Sequence, residues 1–275
     1  MTETQLTASR DASVQDCRLR FGGVLRSEWT KLRSLRSTWL SLALSAVITL
    51  GIAAAAGASM ASSVRGGHPL EHGPAESVDT AMIGVGIAAL VLGVLGALQM
   101  AGEYGTGMIR ASLTAVPTRL PVLAAKALIL LLVTLLSGVV LCLGCYLISQ
   151  AFLSGLPGHA SLADHDVLRA IAGNAVSLCA IALIGLGLAA ILRNTAGTIT
   201  VLVAALYVLP SLVGLFPKSF DQHVSRYLPS AASASVANAV PDADRLSAAA
   251  GGFVLAGYVL LVIAIGAFFL RRRDA

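Results

Sequence analysis

Few side chains in this sequence stand at spacings that could do chemistry. Cys142 and Cys145 form a C-x-x-C pattern, which redox centres and zinc sites use. A zinc site needs further ligands, and no histidine lies in that run, so a pair of small buried thiols is the better account. His68 and His72 are four apart, but Pro69 and Gly73 break any helix that would aim both at one metal, leaving two exposed loop histidines. Asp164, His165 and Asp166 could attract a cation. Acids at the start of a helix also suit its dipole, and that is the simpler account. Gln99, Asn174, Ser177 and Cys179 are scattered, with no Ser/His, Cys/His or paired-carboxylate arrangement. Asn174 and Ser177 are groups that bond across helices. The sequence therefore nominates no catalytic residue and no metal ligand, and the chain does not read as an enzyme. Its polar groups gather instead in Ala101–Lys126, AGEYGTGMIRASLTAVPTRLPVLAAK, an island between two long apolar runs.

The elements that must hold this island are apolar throughout. Hydrophobic residues make up 56% of the 275, charged residues only 12%, and the mean hydropathy is +0.83. A soluble domain carries about 25% charged residues, so lipid is the expected solvent. A spanning helix needs about 20 mostly apolar residues. Six runs qualify: Thr38–Ala58, Thr80–Met100, Pro121–Leu153, Val167–Leu192, Ala196–Phe216 and Ala248–Leu270. The runs are continuously apolar and none alternates with period two, so helices are preferred over a β-barrel. The fold class is thus all-α membrane protein with six transmembrane helices. No cleavable signal peptide is apparent, since the first apolar run is both late and long.

Residues 1–17 are polar and aperiodic, the pattern of a disordered tail. Over 18–37 the sequence predicts an amphipathic helix lying in the membrane interface. Phe21, Leu25, Trp29, Leu32, Leu35 and Trp39 fall on one face, with Arg26, Lys31 and Arg33 largely elsewhere. The tryptophans suit the interfacial belt and the cations suit lipid head groups. Residues 38–275 form the transmembrane domain. With the N-terminus in the cytoplasm, only Arg65, Arg169, Lys218, Arg226 and Arg245 lie outside, and the other 14 of the 19 Lys+Arg lie inside. Six spans then return Arg271–Arg273 to the cytoplasm. Topology accounts for the net charge of +5, and nucleic acid need not be invoked.

Within the island Gly105 and Gly107 permit a turn, and a short helix is expected from Gly107 to Ala115, ended before Pro117. Lys126 is placed at the interface with its stem snorkelling, because a lysine at the bilayer centre costs about 3 kcal/mol. Glu103 is expected to steady the loop by pairing with Arg110 or Arg119. Arg193–Thr195 is so short that the fourth and fifth spans must be antiparallel neighbours. Pro210 should kink the fifth span. Pro229–Val240 reads as a short helix dipping into the outer leaflet, a surface helix or a plain loop.

These residues carry a resemblance. Glu103, Tyr104, Gly107, Ile109, Arg110, Leu113, Pro117, Arg119 and Lys126 stand where six-span ABC exporter permeases of the type-2, actinobacterial kind carry a Glu-aromatic pair, Gly, Ile-Arg, Leu, Pro-x-Arg and Lys. Ser27–Trp39, with Trp29, Lys31, Arg33 and Trp39, resembles their opening helix, and Arg226–Pro229 their final outer loop. Met108, where the family usually has Thr, and Pro121, near an often basic position, depart from the pattern. The resemblance implies that the loop is a cytoplasmic coupling helix docking on a separate ABC ATP-binding subunit. It also implies that two permeases pair as a homodimer or heterodimer in a bacterial cell membrane, with both termini cytoplasmic. The chain has no G-x-x-x-x-G-K-[ST]. It is therefore expected to bind no cofactor, with ATP handled by the partner subunit. The other readings are a non-transport scaffold or sensor accessory, and an ion-coupled secondary carrier, which needs buried carboxylates.

Overall fold

The computed structural model describes residues 21–68, 70–108, 120–216, 224–240 and 245–272, and among them there are helices and turns but no strand. Helix α1 (Phe21–Ser34) ends where Leu35 turns to an extended conformation, and α2 (Arg36–Arg65) starts at once. The Trp39 indole donates to the Arg33 carbonyl at 2.9 Å, which braces this elbow. Then come α3 (Pro74–Ala81), α4 (Val85–Thr106), α5 (Leu120–Phe152) and α6 (His165–Leu192). They are followed by α7 (Thr195–Val203), α8 (Leu209–Val213), α9 (Pro229–Ala237) and α10 (Ala248–Arg272). Six of the resulting stretches, with α3–α4 and α7–α8 each counted as one, are long and apolar enough to cross a membrane. The chain is an all-α, multi-pass membrane protein.

The sequence-predicted spans sit within a few residues of these helices, with two differences. The connection between the first and second spans is shorter than the expected Ser59–Asp79. Helix α2 runs on to Arg65, with the Ser62 and Ser63 hydroxyls folded back onto the Ser59 carbonyl, and α3 already starts at Pro74. The second span also continues past Met100 to Thr106, so Glu103 and Tyr104 belong to the helix and not to the loop.

Helix α6 is the centre of the bundle. It packs on α4 most extensively, then on α5 and α10, and also on α7 and α9. Without a hydrophobic drive between helices in lipid, close backbone approach supplies the dispersion energy, and small residues allow it. A Cβ at Gly96 of α4 would stand 2.0 Å from the Ala182 carbonyl oxygen of α6, and one at Gly185 would stand 2.2 Å from that of Gly93. The two helices therefore interlock reciprocally. Asn174 and Ser177 bond across helices as their types suggest: Asn174 Nδ2 donates to the Ala237 carbonyl at 3.1 Å and Ser177 Oγ to that of Ser233 at 3.3 Å.

Pro210 acts through a π-helical turn, Ala204–Val208, that separates α7 from α8. The proline has no N–H to give and its ring crowds the preceding turn, so one wide turn absorbs the mismatch. Pro229–Val240 contains helix α9, seated against α6 and α10. Its C-terminal end is held by Asp79, whose carboxylate accepts from the Ala239 and Val240 amides at 2.6 and 3.0 Å.

Candidate functional site

The island's two bases meet a third element at one end of the bundle. Glu103 lies in the last turn of α4, Lys126 in the second turn of α5, and Glu28 and Lys31 on one flank of α1. Lys126 Nζ donates to Glu28 Oε2 at 2.6 Å and to Glu103 Oε1 at 2.7 Å. Lys31 Nζ donates to Glu28 Oε1 at 2.7 Å and to Glu103 Oε1 at 2.9 Å. Two lysines and two glutamates thus form a closed ring, in a protein with three lysines and five glutamates. Lys126 is only 1% exposed and Glu28 only 3%.

This arrangement corrects two expectations. Lys126 does not snorkel; it is fully enclosed, because two carboxylates inside compensate it better than partial access to water would. Among the described residues Glu103 takes Lys31 and Lys126 as its partners; Arg110 and Arg119, its expected partners, lie outside them. The faces of α1 are also distributed differently. Phe21, Trp29, Leu35 and Trp39 are exposed, whereas Val24, Glu28 and Leu32 are buried. Val24 sits on Val122 and Ala125 of α5. In lipid an apolar stripe has no reason to turn inward, but unpaired charge does, so the flank that carries Glu28 and Lys31 is the one that docks. Arg33 remains exposed. Burial pulls the Lys31 ammonium down, and its bonds to Glu28 and Glu103 more than offset this, leaving its pKa above the usual lysine value.

Tyr104, the next residue, points the other way. The Arg193 guanidinium lies 5.0 Å from its ring centroid. Arg193 occupies the turn between α6 and α7 with φ +55°, and its guanidinium donates to the Phe269 carbonyl of α10 at 3.4 Å. Glu103 and Tyr104 therefore tie one helical turn to two different sets of helices. Gly107 follows as the left-handed cap of α4, φ +73°, its amide bonded to the Tyr104 carbonyl. Ile109, Arg110, Leu113, Pro117 and Arg119, the expected coupling helix Gly107–Ala115 beyond Met108, and the expected tail 1–17 lie outside the described residues.

Glu28 is the residue that the sequence reading missed. Its signal was a lone acid on a basic helix, whose position falls beside Lys31 and one turn before Leu32. Elsewhere the site is bland. Cys142, Cys145 and Cys179 are buried free thiols, and no group of metal-ligating side chains occurs among the described residues.

A family model described as ABC-2 family transporter protein matches residues 24–211. The match includes α1 from Val24, the whole ring, the polar island and the helices as far as α8. No curated protein matches the chain.

Proposed function

The chain belongs to the ABC-2 transporter family and is a membrane component of an ABC transporter, and from that premise we propose that it is an exporter permease driven by a separate ATP-binding subunit. The observation that carries the proposal is the Glu103–Lys126 bond at 2.7 Å, which closes the base of the polar loop and joins it to α1 through Glu28 and Lys31. A push on such a loop cannot be absorbed by one helix. The ring passes it to α1, α4 and α5, and Tyr104 passes it to Arg193 and so to α6, α7 and α10. Packed helices shift between discrete arrangements more readily than they deform. ATP-driven closure of the partner would thus move the bundle and open a path for substrate between two permeases. Glu103 and Tyr104 anchor the loop. Gly107, Ile109, Arg110, Leu113, Pro117 and Arg119 form the surface that the partner meets, and the chain itself binds no nucleotide. The positive-inside charge asymmetry supports a cytoplasmic position for this end. The carboxylates near the ring are each matched by a lysine at the end of the spans, an arrangement that favours a structural clamp over an ion-coupled carrier.

The test is co-expression of the tagged chain with the ATP-binding subunit encoded beside it. Co-elution in mild detergent and ATPase activity are measured for the native chain, for Arg110→Glu and for Glu103→Gln. A stable complex is expected, weakened by Arg110→Glu. Glu103→Gln should keep the complex and lose at least half of the coupled activity. A folded chain that captures no ATPase, or full activity in both variants, overturns the proposal.

A further inference from the structure

Beside the ring lies a cleft of about 240 Å³ between α1 and α4. Gln99 lines it, is only 7% exposed, and neither its amide nitrogen nor its oxygen has a hydrogen-bond partner. Glu103 lines the same cleft, and its Oε2 is likewise buried without a partner, although Oε1 receives both lysines. Buried polar atoms are satisfied in nearly all folded proteins, so three unmet atoms at one cleft call for a ligand. That ligand must donate to two oxygens, Gln99 Oε1 and Glu103 Oε2, and accept from Gln99 Nε2.

The charges narrow its class. The four ring side chains, two glutamates and two lysines, sum to zero, so neither a net cation nor a net anion is preferred. A zwitterion with a primary ammonium beside a phosphate fits: the ammonium donates to the two oxygens, while the phosphate accepts from Gln99 Nε2 near Lys31, whose side chain is 25% exposed at the rim. The remaining wall includes Ser34, Ser37, Thr38 and Thr106 but is mostly apolar surface. Leu95 and Leu98 line the cleft, and Leu35 stands 48% exposed at its edge, offering a path for an acyl chain toward the lipid around the bundle. We propose that this cleft is a binding site for one aminophospholipid of the phosphatidylethanolamine class, its ammonium held by Glu103 and Gln99, wedging the interfacial helix against the second span. A quaternary choline head group has no N–H to donate and should be rejected.

The full chain, purified in non-ionic detergent, would be titrated with phosphatidylethanolamine, its N-methyl and N,N-dimethyl forms, phosphatidylcholine and phosphatidylglycerol of identical acyl chains. Native mass spectrometry gives stoichiometry and Kd. One phosphatidylethanolamine per chain is expected, with Kd rising stepwise and at least tenfold toward phosphatidylcholine, about the worth of one hydrogen bond to a charged group. Gln99→Leu should bind the two lipids equally. Equal binding of all head groups by the native chain, as a water-filled cleft would give, overturns the proposal. So does tightest binding of phosphatidylglycerol, or an undiminished preference in Gln99→Leu. If that variant does not fold, the methylation series on the native chain decides alone.

Discussion

Lys126 sets the hardest condition at the residue scale. An ammonium 1% exposed among apolar helices is tolerated because Glu28 and Glu103 reach it at 2.6 and 2.7 Å. Removing one member of a buried ion group leaves the others uncompensated, at about 3–5 kcal/mol. Lys126→Met should therefore destabilise the protein by about that much in a denaturant or thermal unfolding assay. Adding Glu28→Gln should recover part of the loss, with a coupling energy of about 1–3 kcal/mol. Lys31 gives the pH dependence. Its pKa is raised in the folded chain above the ordinary 10.5. Its contribution is thus fully present below about pH 10.5, and is lost as pH rises through the higher folded value. Thermal stability should show no loss from this group between pH 7 and 9, and should fall in the alkaline range above 10.5. In Lys31→Met that alkaline fall should shrink.

At the scale of elements, two contacts decide how the helices sit. The α4–α6 interlock needs bare backbone at Gly96 and Gly185, where a Cβ would meet carbonyl oxygens at 2.0 and 2.2 Å. Backbone cannot step aside as a flexible side chain can. Gly96→Val should cost about 2–3 kcal/mol, as overpacked cores do, and the purified variant should lose its sharp melting transition. Gly107 is a different case. A Cβ there meets no neighbour, so only its φ of +73° matters. Gly107→Ala should cost about 1–2 kcal/mol and should reduce ATPase coupling more than it reduces the melting temperature, because it changes the direction in which the chain leaves α4.

For the whole molecule, the ring, the Tyr104–Arg193 contact and the Arg193–Phe269 bond gather α1, the end of α4, the starts of α5 and α7 and the end of α10 at one end. This places Phe21 and Arg272 on the same side and the turn at Gly66 on the other. In cells carrying a Cys17→Ser background, cysteines at positions 21 and 272 should react with membrane-impermeant thiol reagents only after permeabilisation. A cysteine at position 66 should react in intact cells. The opposite pattern would reverse the orientation that positive-inside charge indicates. The same gathering explains why no single helix can follow the loop alone: four of the other five spans pack on α6, and both anchors of the loop lead to it.

The six spans and a separate helix before the first of them were legible in the sequence, because run length, charge and tryptophan placement are local quantities; the break at Leu35, inside the expected helix 18–37, was not. Also legible were an irregularity of the helix at Pro210, seen as the π-helical turn Ala204–Val208, and the cross-helix roles of Asn174 and Ser177, which follow from residue type. The ring was not legible. Glu28 and Lys126 are 98 residues apart, and each alone looks like an ordinary interfacial charge. A lone lysine near a span end is cheapest when snorkelling, and only a carboxylate brought beside it by folding makes burial the lower state. The docking face of α1 was hidden for the same reason. Amphipathicity locates the apolar stripe, but in lipid that stripe has solvent on every side. The sequence by itself thus determined which segments enter the membrane, since that depends on each segment's own transfer energy. The tertiary structure alone decided which charges the bundle keeps inside, since that depends on the partners folding supplies.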